Sequence, residues 1–471
     1  MSIEKRIAVV GMGYVGIPCA ALLADVDGFD VTGIQRQSRR SGWKIEALNA
    51  GQSPIEGNEP GLEELIAKVV AKGSFRVTDD FSVIRDMDII LIDVQTPTEG
   101  KNHRPRYESL KEVCQQVGRY LRRGALVITE STVAPGTTQH VIQPILERES
   151  GMKGSLDFYL AYSYERVMPG RLIRYIQELP RIVGGICPES ERRAVEMYRE
   201  IVKEAIYSAD VLTVEVAKTM ENAYRDVNIA FANEMALISE NLGVDVFKIR
   251  ELINSRAERH MHLPGPGVGG HCLPKDTWLL RYGLQRYGKW PMETSFIRLA
   301  RHINDFMPFH MAGLIINGLR ELGVRLLDAR VAILGVAYLE DSDDTRNSPA
   351  FSIIEELASE EIRAVAHDPH VRNSDFSCIP LTRNLDDVLR DADCMAIVTK
   401  HKEYFNLDLA HVHQLMRTPF IVDGRNVIPG DLAGSLGFFF RGIGKDKMRA
   451  SEPGVATART MYGGASPQDP S

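Results

Sequence analysis

The sequence predicts an α/β protein in which two doubly wound domains are joined by a long helical connector. Three observations support this fold class. Apolar runs of strand length alternate with helical stretches in the N-terminal half, one long helical pattern follows, and a second alternating series begins near Arg330. The length of 471 residues also favours more than one hydrophobic core.

The first alternating series contains short apolar runs that are typical of buried strands. A helical run from Ile17 to about Ala24 separates the first two of them, and further helical stretches separate the others. Strands that alternate with helices predict a parallel, doubly wound sheet. The predicted strands are Arg6–Val10, Asp30–Ile34, Asp88–Ile92, Ala125–Ile128 and Phe158–Ala161.

The connector is predicted to be a long helix from about Asp210 to Asn241. Lys218, Asn222 and Arg225 lie on one side of it, so this polar face either lines a site or faces solvent. Apolar residues recur at helical spacing on the opposite side. They are Met220, Ala223, Tyr224, Val227, Phe231, Met235 and Ile238.

The second α/β series lacks a complete G-x-G-x-x-G motif. Its predicted strands are Val331–Ala337, Arg363–His367, Cys394–Val398 and Phe420–Val422. From about Ser451 the chain is rich in Gly, Pro, Ser and Ala, a composition that is typical of a disordered tail.

The bulk composition narrows the classes of function. A net charge of -7 argues against nucleic acid as the main partner. The 6 cysteines are scattered without a C-x-x-C pair, which fits a reducing cytosol and disfavours a disulfide framework or a zinc site. The sequence shows no signal peptide and no apolar run long enough to span a membrane, so we expect a cytoplasmic protein.

A glycine motif, Gly11-x-Gly13-x-x-Gly16, follows the first strand and opens a helix, which is the context of a Rossmann-type dinucleotide-binding turn. Glycines there permit a tight turn and the close approach of a pyrophosphate to the helix N-terminus. Gln35 replaces the acidic residue that is expected to bind the ribose at the end of the second strand.

Three arginines follow Gln35, namely Arg36, Arg39 and Arg40. Arginines at this position can accept a ribose 2′-phosphate. NAD is the expected cofactor, and NADP stays open as an alternative. A basic surface cluster beside a neutral ribose contact would give the same pattern.

Cys272 lies in a glycine-rich loop, residues 264–276. Glycine lets the backbone approach a ligand closely, and a thiol near a cation such as Lys275 is more readily a nucleophilic thiolate. The loop is predicted to wrap a substrate around a covalent catalyst, although a buried cysteine in a Gly/Pro loop would look similar. No metal is expected, because the nearby histidines lack partners at ligand spacing. These histidines are His260, His262 and His271.

Three loops with polar side chains follow strands of the first series, at the edge where doubly wound sheets bind ligands. They are Thr96–Thr98, Ser131–Thr137 and Tyr164–Gly170. The hydroxyls of the first two could hold a cofactor or a water. Glu165 in the third suits general acid/base work, and Arg166 suits an anion. Each loop taken alone is more often only a turn.

These features belong to a series of motifs along the chain. They are G-M-G-Y-V-G (11–16), L-N-A-G-Q-S-P-I-E-G-N-E-P-G-L (48–62), V-Q-T-P-T (94–98), S-T-V-A-P-G-T (131–137), E-R-V-M-P-G (165–170), E-V-A-K-T-M-E-N-A-Y-R (215–225), G-V-G-G-H-C-L-P-K-D (267–276), D-D-T-R-N-S-P (343–349) and D-G-R-N (423–426). By these motifs the chain resembles the UDP-glucose/UDP-N-acetylhexosamine 6-dehydrogenases from about residue 5 to 445. The P-G-P-G-V-G-G-H-C form is closer to the N-acetylhexosamine branch, and the L-P-K-D continuation to the UDP-glucose branch.

The resemblance implies a four-electron oxidation of the sugar C6 hydroxyl to a carboxylate, for polysaccharide precursors, through a thiohemiacetal and a thioester on Cys272. It implies that Lys218 and Asn222 stabilise an oxyanion and that Asp276 and Thr132 position a water. Glu165 is implied as the general acid/base. The implied cofactor-binding residues are Gly11, Gly13, Tyr14, Val15, Gly16, Gln35, Arg40, Thr96, Pro97, Thr132, Lys275 and Arg346. The implied substrate-binding residues are Arg166, Val167, Lys218, Asn222, Arg225, Arg259, Gly269, Tyr338 and Arg425, with Arg256 as the competing choice for Arg259.

The resemblance also implies an architecture. A Rossmann-like NAD(P)-binding domain is expected over residues 1–205, a central helical region with the catalytic loop over 206–320, and a Rossmann-like UDP-sugar domain over 321–450. Residues 451–471 are the expected tail. The family pattern implies a homodimer or higher homo-oligomer through the central helix, although packing within one subunit would leave the same apolar stripe.

The chain departs from the family pattern at three positions. Leu339 replaces a lysine, so one phosphate- or sugar-binding cation is lost. Gln35 replaces the ribose-binding aspartate, and Tyr164 replaces a proline. None of these positions belongs to the implied catalytic set.

Two other classes of protein share part of this pattern. A two-electron β-hydroxyacid dehydrogenase would share the dinucleotide domain and a lysine–asparagine pair, but it needs neither a cysteine nor a second α/β domain. A nucleotide-sugar-binding protein without activity would have lost catalytic residues, yet Cys272, Lys218, Asp276, Glu165 and Thr132 are present. UDP-glucose is the alternative substrate within the preferred class.

Overall fold

The computed structural model describes residues 4–38, 41–55, 59–100, 103–372 and 378–445. The chain forms two compact units, each assembled from two stretches of sequence. Unit 1 comprises Met1–Ala223 and Lys275–Thr294, and unit 2 comprises Tyr224–Pro274 and the chain from Ser295 onward. Each unit contains a mainly parallel sheet with helices, so the predicted fold class is confirmed.

The sheet of unit 1 is built from short apolar strands. The strands of unit 1, inside and outside this sheet, are β1 (Lys5–Val10), β2 (Phe29–Ile34), β3 (Phe75–Thr78), β4 (Ile89–Ile92), β5 (Thr98–Glu99), β6 (Arg104–Pro105), β7 (Leu126–Thr129), β8 (Tyr159–Tyr162), β9 (Arg181–Gly185) and β10 (Ile206–Asp210). The order is β10-β9-β8-β7-β4-β1-β2-β3, and β5 and β6 form a separate hairpin. Neighbouring strands of the large sheet run parallel, except that β8 and β9 pair antiparallel.

Helices connect these strands and cover both faces of the sheet, with an apolar core on each face. They are α1 (Gly16–Asp25), α2 (Trp43–Asn49), α3 (Leu62–Lys72), α4 (Glu108–Tyr120), α5 (Gln143–Ser150), α6 (Leu172–Glu178) and α7 (Pro188–Arg199). The chain continues through α8 (Val211–Leu242), α9 (Val246–Asn254), α10 (Leu273–Tyr287) and α11 (Ser295–Glu321). The boundary between the units falls inside α8 and near the start of α10.

Unit 2 contains a second doubly wound sheet, with the order β13-β12-β11-β14-β15-β16 and parallel pairing throughout. Its strands are β11 (Arg330–Leu334), β12 (Arg363–His367), β13 (Leu381–Thr382), β14 (Cys394–Ile397), β15 (Phe420–Asp423) and β16 (Phe439–Gly442). The helices among them are α12 (Pro349–Ser359), α13 (Leu385–Leu389), α14 (Leu409–Leu415) and α15 (Gly430–Ser435).

The pattern of buried and exposed side chains on α8 differs from that of a simple amphipathic helix. Asp226, on the part of α8 that belongs to unit 2, is buried and pairs with Arg301 of α11 at 2.6 Å. Tyr224, Phe231 and Ile238, which belong to the apolar stripe, are 71%, 51% and 46% exposed. Within the chain itself, a buried ion pair fixes this helix, and these three side chains of the apolar stripe face outward whereas Ala223 is buried.

Every predicted strand is present, with ends shifted by a few residues at most. The sequence pattern missed seven strands, because they are short or contain glycine and polar residues. They are β3, β5, β6, β9, β10, β13 and β16. The predicted tail at 451–471 lies outside the described residues. No helix in the described ranges is long and apolar enough to cross a membrane.

Candidate functional site

The glycine turn of unit 1 links β1 to α1. Gly11 has a φ of 109°, in the region that favours glycine, and a Cβ on it would lie 2.4 Å from the backbone oxygen of Asp93. A Cβ on Gly16 would lie 2.0 Å from the backbone oxygen of Gly11. Both positions therefore exclude a side chain. A Cβ on Gly13 would meet no described atom within 4 Å, so the turn is open on that side.

The residues after Gly13 fit the pyrophosphate of a dinucleotide. Tyr14 and Val15 lie between Gly13 and α1 and are partly buried. Val15 is the residue before α1, and its apolar side chain cannot accept hydrogen bonds from the first N–H groups of the helix. Backbone N–H groups at a helix N-terminus attract phosphate. The turn therefore fits the cofactor that the glycine motif predicts.

Gln35 lies at the end of β2, where an acid was expected. Its Oε1 accepts a hydrogen bond from the N–H of Met12 at 3.1 Å, so the amide joins β2 to the glycine turn. Arg36 forms an ion pair with Glu112, and Arg40 lies outside the described residues. A neutral amide thus borders the expected ribose position.

A chain of polar contacts connects several of the predicted site residues of unit 1. The side-chain amide of Asn222 donates to Asp276 Oδ2 at 2.5 Å, and the Lys275 ammonium lies 3.1 Å from Asp276 Oδ1. Lys275 Nζ donates to Thr96 Oγ1 at 3.4 Å, and Thr96 Oγ1 donates to the backbone oxygen of Thr132 at 2.5 Å. Asp276, Lys275 and Thr96 are buried. Predicted catalytic and cofactor-binding residues therefore meet in one network.

Lys218 is buried on α8, and its Nζ donates to the backbone oxygen of Glu165 at 2.8 Å. The same nitrogen lies 5.1 Å from the centre of the Tyr164 ring, and the Arg166 guanidinium lies 5.6 Å from the centre of that ring. The Tyr164 hydroxyl donates to Glu221 at 3.2 Å. Burial, and then Glu221, raise the pKa of Tyr164 to about 12. The tyrosine that replaces the family proline therefore contacts two cations at this site.

A buried ionic cluster holds the Glu165 carboxylate. Arg181 pairs with Glu165 and also with Glu130, and the side chains of Arg181 and Glu130 are 4% and 0% exposed. Arg181 Nε donates to Ser163 Oγ at 2.7 Å, and its guanidinium lies 4.0 Å from the ring centre of Tyr198. One guanidinium thus bridges two carboxylates that are shielded from water.

Asp93 is a further acid beside this cluster. Burial, and then the charge of Glu130, raise the pKa of Asp93 well above its usual range. Arg181, Glu130 and Asp93 are site residues that the sequence motifs did not predict. The position of Asp93 and Glu130 directly after β4 and β7 was a usable signal, whereas Arg181 opens β9, which the sequence pattern did not predict.

In unit 2, Cys272 is exposed and directly precedes α10. A Cβ on Gly269 would lie 2.5 Å from Tyr338 Cβ, and one on Gly270 would lie 2.8 Å from the Tyr338 ring. Gly270 has a φ of 86°. The backbone before the thiol therefore packs on Tyr338 in a shape that requires glycine.

The segment that contacts this loop is held by its own polar bonds. The N–H of Gly270 donates to the backbone oxygen of Arg346 at 2.8 Å, and Asn347 Nδ2 donates to the backbone oxygen of Gly270 at 3.0 Å. The Arg346 guanidinium binds Asp344 through Nε at 2.8 Å. Burial, and then Asp344, raise the pKa of Tyr338 to about 12. Predicted substrate- and cofactor-binding residues thus line the loop of Cys272.

Arg425 lies against the start of the same loop. A Cβ on Gly265 would lie 2.5 Å from Arg425 Nη1, and Arg425 Nε donates to the backbone oxygen of Val398 at 2.8 Å. Arg225 is exposed on α8. Unit 2 therefore presents two predicted substrate arginines in addition to the thiol.

The other predicted residues occupy varied positions. Arg259 is exposed, and Arg256, the competing choice, pairs with Glu258 at 3.0 Å. Val167 packs against the apolar core of unit 1, and Pro97 is partly buried in the loop after β4. Neither arginine is distinguished by a buried partner.

Three domains of one protein family match successive parts of the chain. The NAD binding domain of the UDP-glucose/GDP-mannose dehydrogenase family matches residues 5–202, the central domain 212–306 and the UDP binding domain 332–430. NAD is therefore the cofactor that this match supports. The match to all three domains disfavours both a simple β-hydroxyacid dehydrogenase and a protein without activity.

The chain is also similar to individual proteins. A UDP-N-acetyl-D-mannosamine dehydrogenase from Pyrococcus horikoshii is 38% identical over 440 residues, which cover 93% of this chain and 99% of the relative. The solved NDP-N-acetyl-D-galactosaminuronic acid dehydrogenase from Methanosarcina mazei is 41% identical, with a TM-score of 0.83 and coverage of 94% and 96%. The solved UDP-N-acetyl-mannosamine dehydrogenase from Staphylococcus aureus is 31% identical, with a TM-score of 0.81 and coverage of 94% and 99%. The chain therefore belongs to the UDP-glucose/GDP-mannose dehydrogenase family, as an NAD-dependent oxidoreductase that acts on the alcohol group of a UDP-sugar.

Proposed function

We propose that the protein oxidises the C6 hydroxyl of a UDP-N-acetylhexosamine to a carboxylate through a covalent intermediate on Cys272. The observation that carries this proposal is the position of Cys272, exposed at the end of a glycine loop and directly before α10. A helix N-terminus favours negative charge, and the thiolate is the nucleophilic form of cysteine.

The reaction requires two oxidations and one hydrolysis. NAD supplies the hydride acceptor when bound, and each sugar consumes two. The first oxidation removes a hydride from C6 and a proton from its hydroxyl, leaving an aldehyde. The Cys272 sulfur then forms a bond to C6, which restores a hydroxyl and retains one C–H bond. Loss of that second hydride and of the hydroxyl proton leaves a thioester, and water displaces the thiol to give the carboxylate.

Residues of unit 1 are proposed to handle the developing charge and the water. An ammonium has three donors, and Lys218 gives one of them to the Glu165 backbone, so this cation is well suited to an oxyanion. Asn222 is proposed to assist it. Asp276 Oδ1 is buried and lies 3.1 Å from the Lys275 ammonium, and a water is proposed to lie between Asp276 and Thr132.

Glu165 is proposed as the group that moves a proton during hydrolysis of the thioester. Arg181 holds its carboxylate, and the N–H of Arg166 donates to Glu165 Oε2 at 3.1 Å. A fixed carboxylate orientation supports proton transfer, because the donor and acceptor must be within hydrogen-bond reach. Arg181 is thus proposed as a positioning residue.

The substrate is proposed to be a UDP-N-acetylhexosamine because the similar proteins from P. horikoshii, M. mazei and S. aureus are named for N-acetylhexosamine nucleotides. Arginines suit the substrate diphosphate. The proposed contacts are Arg166, Val167, Arg225, Arg259, Gly269, Tyr338 and Arg425. UDP-glucose is the alternative substrate, and supply of uronic acids for polysaccharides in the cytoplasm is the proposed setting.

The protein is also proposed to form a homodimer through α8. Tyr224, Phe231, Ile238 and Leu242 lie on this helix within unit 2 and are all exposed. Exposed apolar patches of this kind are typical of protein interfaces. A second copy of the chain would cover them.

Cofactor reduction tests the catalytic proposal. NAD is offered with UDP-N-acetylmannosamine, UDP-N-acetylglucosamine, UDP-N-acetylgalactosamine and UDP-glucose, and NADH is counted per sugar consumed. We expect two NADH per sugar with one of the N-acetylhexosamines. Cys272→Ser should abolish uronic acid formation, because a hydroxyl is a poor substitute for a thiolate.

Cys378→Ser is the matched control, since Cys378 is also an exposed cysteine of unit 2. It should retain the full stoichiometry. One NADH per sugar, or uronic acid formation that survives Cys272→Ser, would contradict the covalent mechanism. Turnover with UDP-glucose alone would contradict the substrate assignment and leave the mechanism intact.

A further inference from the structure

Three side chains of unit 2 converge beyond the carboxyl ends of adjacent strands. His370 follows β12, Asp341 follows β11 and Glu403 follows β14, and these strands are neighbours in the sheet. His370 Nε2 lies 3.8 Å from Asp341 Oδ1 and 3.5 Å from Glu403 Oε1. An imidazole and two carboxylates from separate segments therefore face one another.

His401 lies in the same cluster, but both of its ring nitrogens already form hydrogen bonds. Its Nδ1 accepts a hydrogen bond from the N–H of Asp341 at 2.9 Å, so the proton is on Nε2, which donates to Asp368 Oδ2 at 3.2 Å. Asp368 Oδ1 accepts from the N–H of His370 at 2.9 Å. His401 and Asp368 thus fix the backbone of two of the three converging residues.

The distances around His370 Nε2 fit a bound cation better than they fit hydrogen bonds. His370 Nε2 is shielded from solvent and has no hydrogen-bond partner among the described residues. Its distances to the two carboxylates are too long for hydrogen bonds. Ligand atoms bonded to a tetrahedral metal at about 2.0–2.1 Å lie roughly 3.3 Å apart. The candidate ligand atoms of Asp341, His370 and Glu403 lie within 4.8 Å of one another, so small side-chain rotations would bring them to that separation.

The charges of these side chains also favour a bound cation. Asp341 and Glu403 bring two carboxylates to one imidazole, and a divalent cation would balance their negative charges. Lys400, three residues before Glu403, lies 3.4 Å from Glu340, and the backbone N–H of Lys402 donates to Asp341 Oδ1 at 3.1 Å. Leu339, at the position of the family lysine, brings no charge.

We propose that Asp341, His370 and Glu403 form a binding site for one divalent cation of the Zn²⁺ or Mn²⁺ class. Imidazole suits Zn²⁺ and carboxylates suit either ion. Three protein ligands leave coordination positions for water. The ligands come from separate segments, which is why the sequence pattern predicts no metal site.

The site would stabilise the loop that holds the cysteine segment. Asp341 lies between β11 and α12, on the same loop as Arg346 and Asn347. Those two residues hydrogen-bond Gly270, two positions before Cys272. A cation bound to Asp341 would therefore stabilise the loop that hydrogen-bonds Gly270. This inference does not depend on the covalent chemistry of Cys272.

Metal binding by the tag-free, chelator-treated full chain tests the proposal. ZnCl₂, MnCl₂ and MgCl₂ are each titrated calorimetrically, and thermal unfolding is recorded with and without each metal. We expect one equivalent of Zn²⁺ or Mn²⁺, a higher unfolding midpoint with that metal, and weaker binding of Mg²⁺. His370→Ala and Asp341→Asn should each weaken binding at least 100-fold and remove the thermal shift.

The control is His411→Ala. His411 faces Asp386 at 3.0 Å on the surface of the same unit, so it is a histidine–carboxylate pair outside the cluster. This variant should bind metal like the wild type. Absence of binding by the wild type, or equal binding by wild type and both cluster variants, would overturn the proposal and leave an ordinary ion-pair cluster. Co²⁺ absorption bands that disappear with His370→Ala would identify the imidazole as a ligand.

Discussion

Replacement of Arg181 by methionine tests whether the buried cluster behind Glu165 depends on one cation. Methionine is similar in length but has no charge. Arg181 carries the positive charge between Glu130 and Glu165, whose side chains are 0% and 8% exposed. It also donates to Ser163 Oγ at 2.7 Å. The substitution leaves two carboxylates without their shared partner.

The expected cost is large because the carboxylates are buried. Breaking a buried ion pair by removing one partner costs about 3–5 kcal/mol, whereas exposed pairs contribute about 0–1 kcal/mol. We therefore expect Arg181→Met to lower the free energy of unfolding by about 3–5 kcal/mol near neutral pH. The loss should shrink at acidic pH, because protonation removes the unpaired charges. A second substitution, Glu130→Gln, should recover part of the loss.

Tryptophan fluorescence during urea unfolding measures this effect. Trp43, Trp278 and Trp290 all lie in unit 1, so their emission reports on the unit that contains Arg181. Arg192→Met is the matched control, since Arg192 also pairs with two glutamates but is 55% exposed. It should cost less than about 1 kcal/mol. Equal effects of Arg181→Met and Arg192→Met, or a loss that is independent of pH, would refute the reasoning.

Three further predictions concern other parts of the chain. Gly270→Ala should lower kcat at least tenfold, because its Cβ would lie 2.8 Å from the Tyr338 ring at a φ of 86°, whereas Gly434→Ala, in open space, should not. Burial raises the pKa of Glu215 from 4.5 to about 7, so its contribution to stability is full below about pH 4.5 and is lost as pH rises through about 7. Across that pH range the wild type should lose about 3 kcal/mol of unfolding free energy that Glu215→Gln retains. Denaturation of both proteins at several pH values measures this difference, and parallel pH profiles would contradict the prediction. Phe231→Glu should shift the protein to a monomer in light scattering, and an unchanged mass would remove α8 as the interface.

Local patterns in the sequence determined much of the fold and part of the candidate site. Alternation of apolar runs and helices identified both doubly wound sheets, because burial on both faces leaves a mark on consecutive residues. Gly11 and Gly270 were recognisable because each stands where backbone geometry excludes a side chain. The motifs around Cys272 and Lys218 placed the chain in its family before any contact was known.

Tertiary structure alone decided which distant residues meet. Arg181 opens a strand that is too short and glycine-rich to be recognised, and its pairing with Glu130 and Glu165 joins three separate loops and strands. The outward direction of Phe231 also depends on the packing of α8 and not on its periodicity. The physical reason is common to both cases. Periodicity and glycine placement are fixed by neighbours along the chain, whereas ion pairing, burial of charge and exposure of an apolar face depend on residues that only the folded sheet brings together.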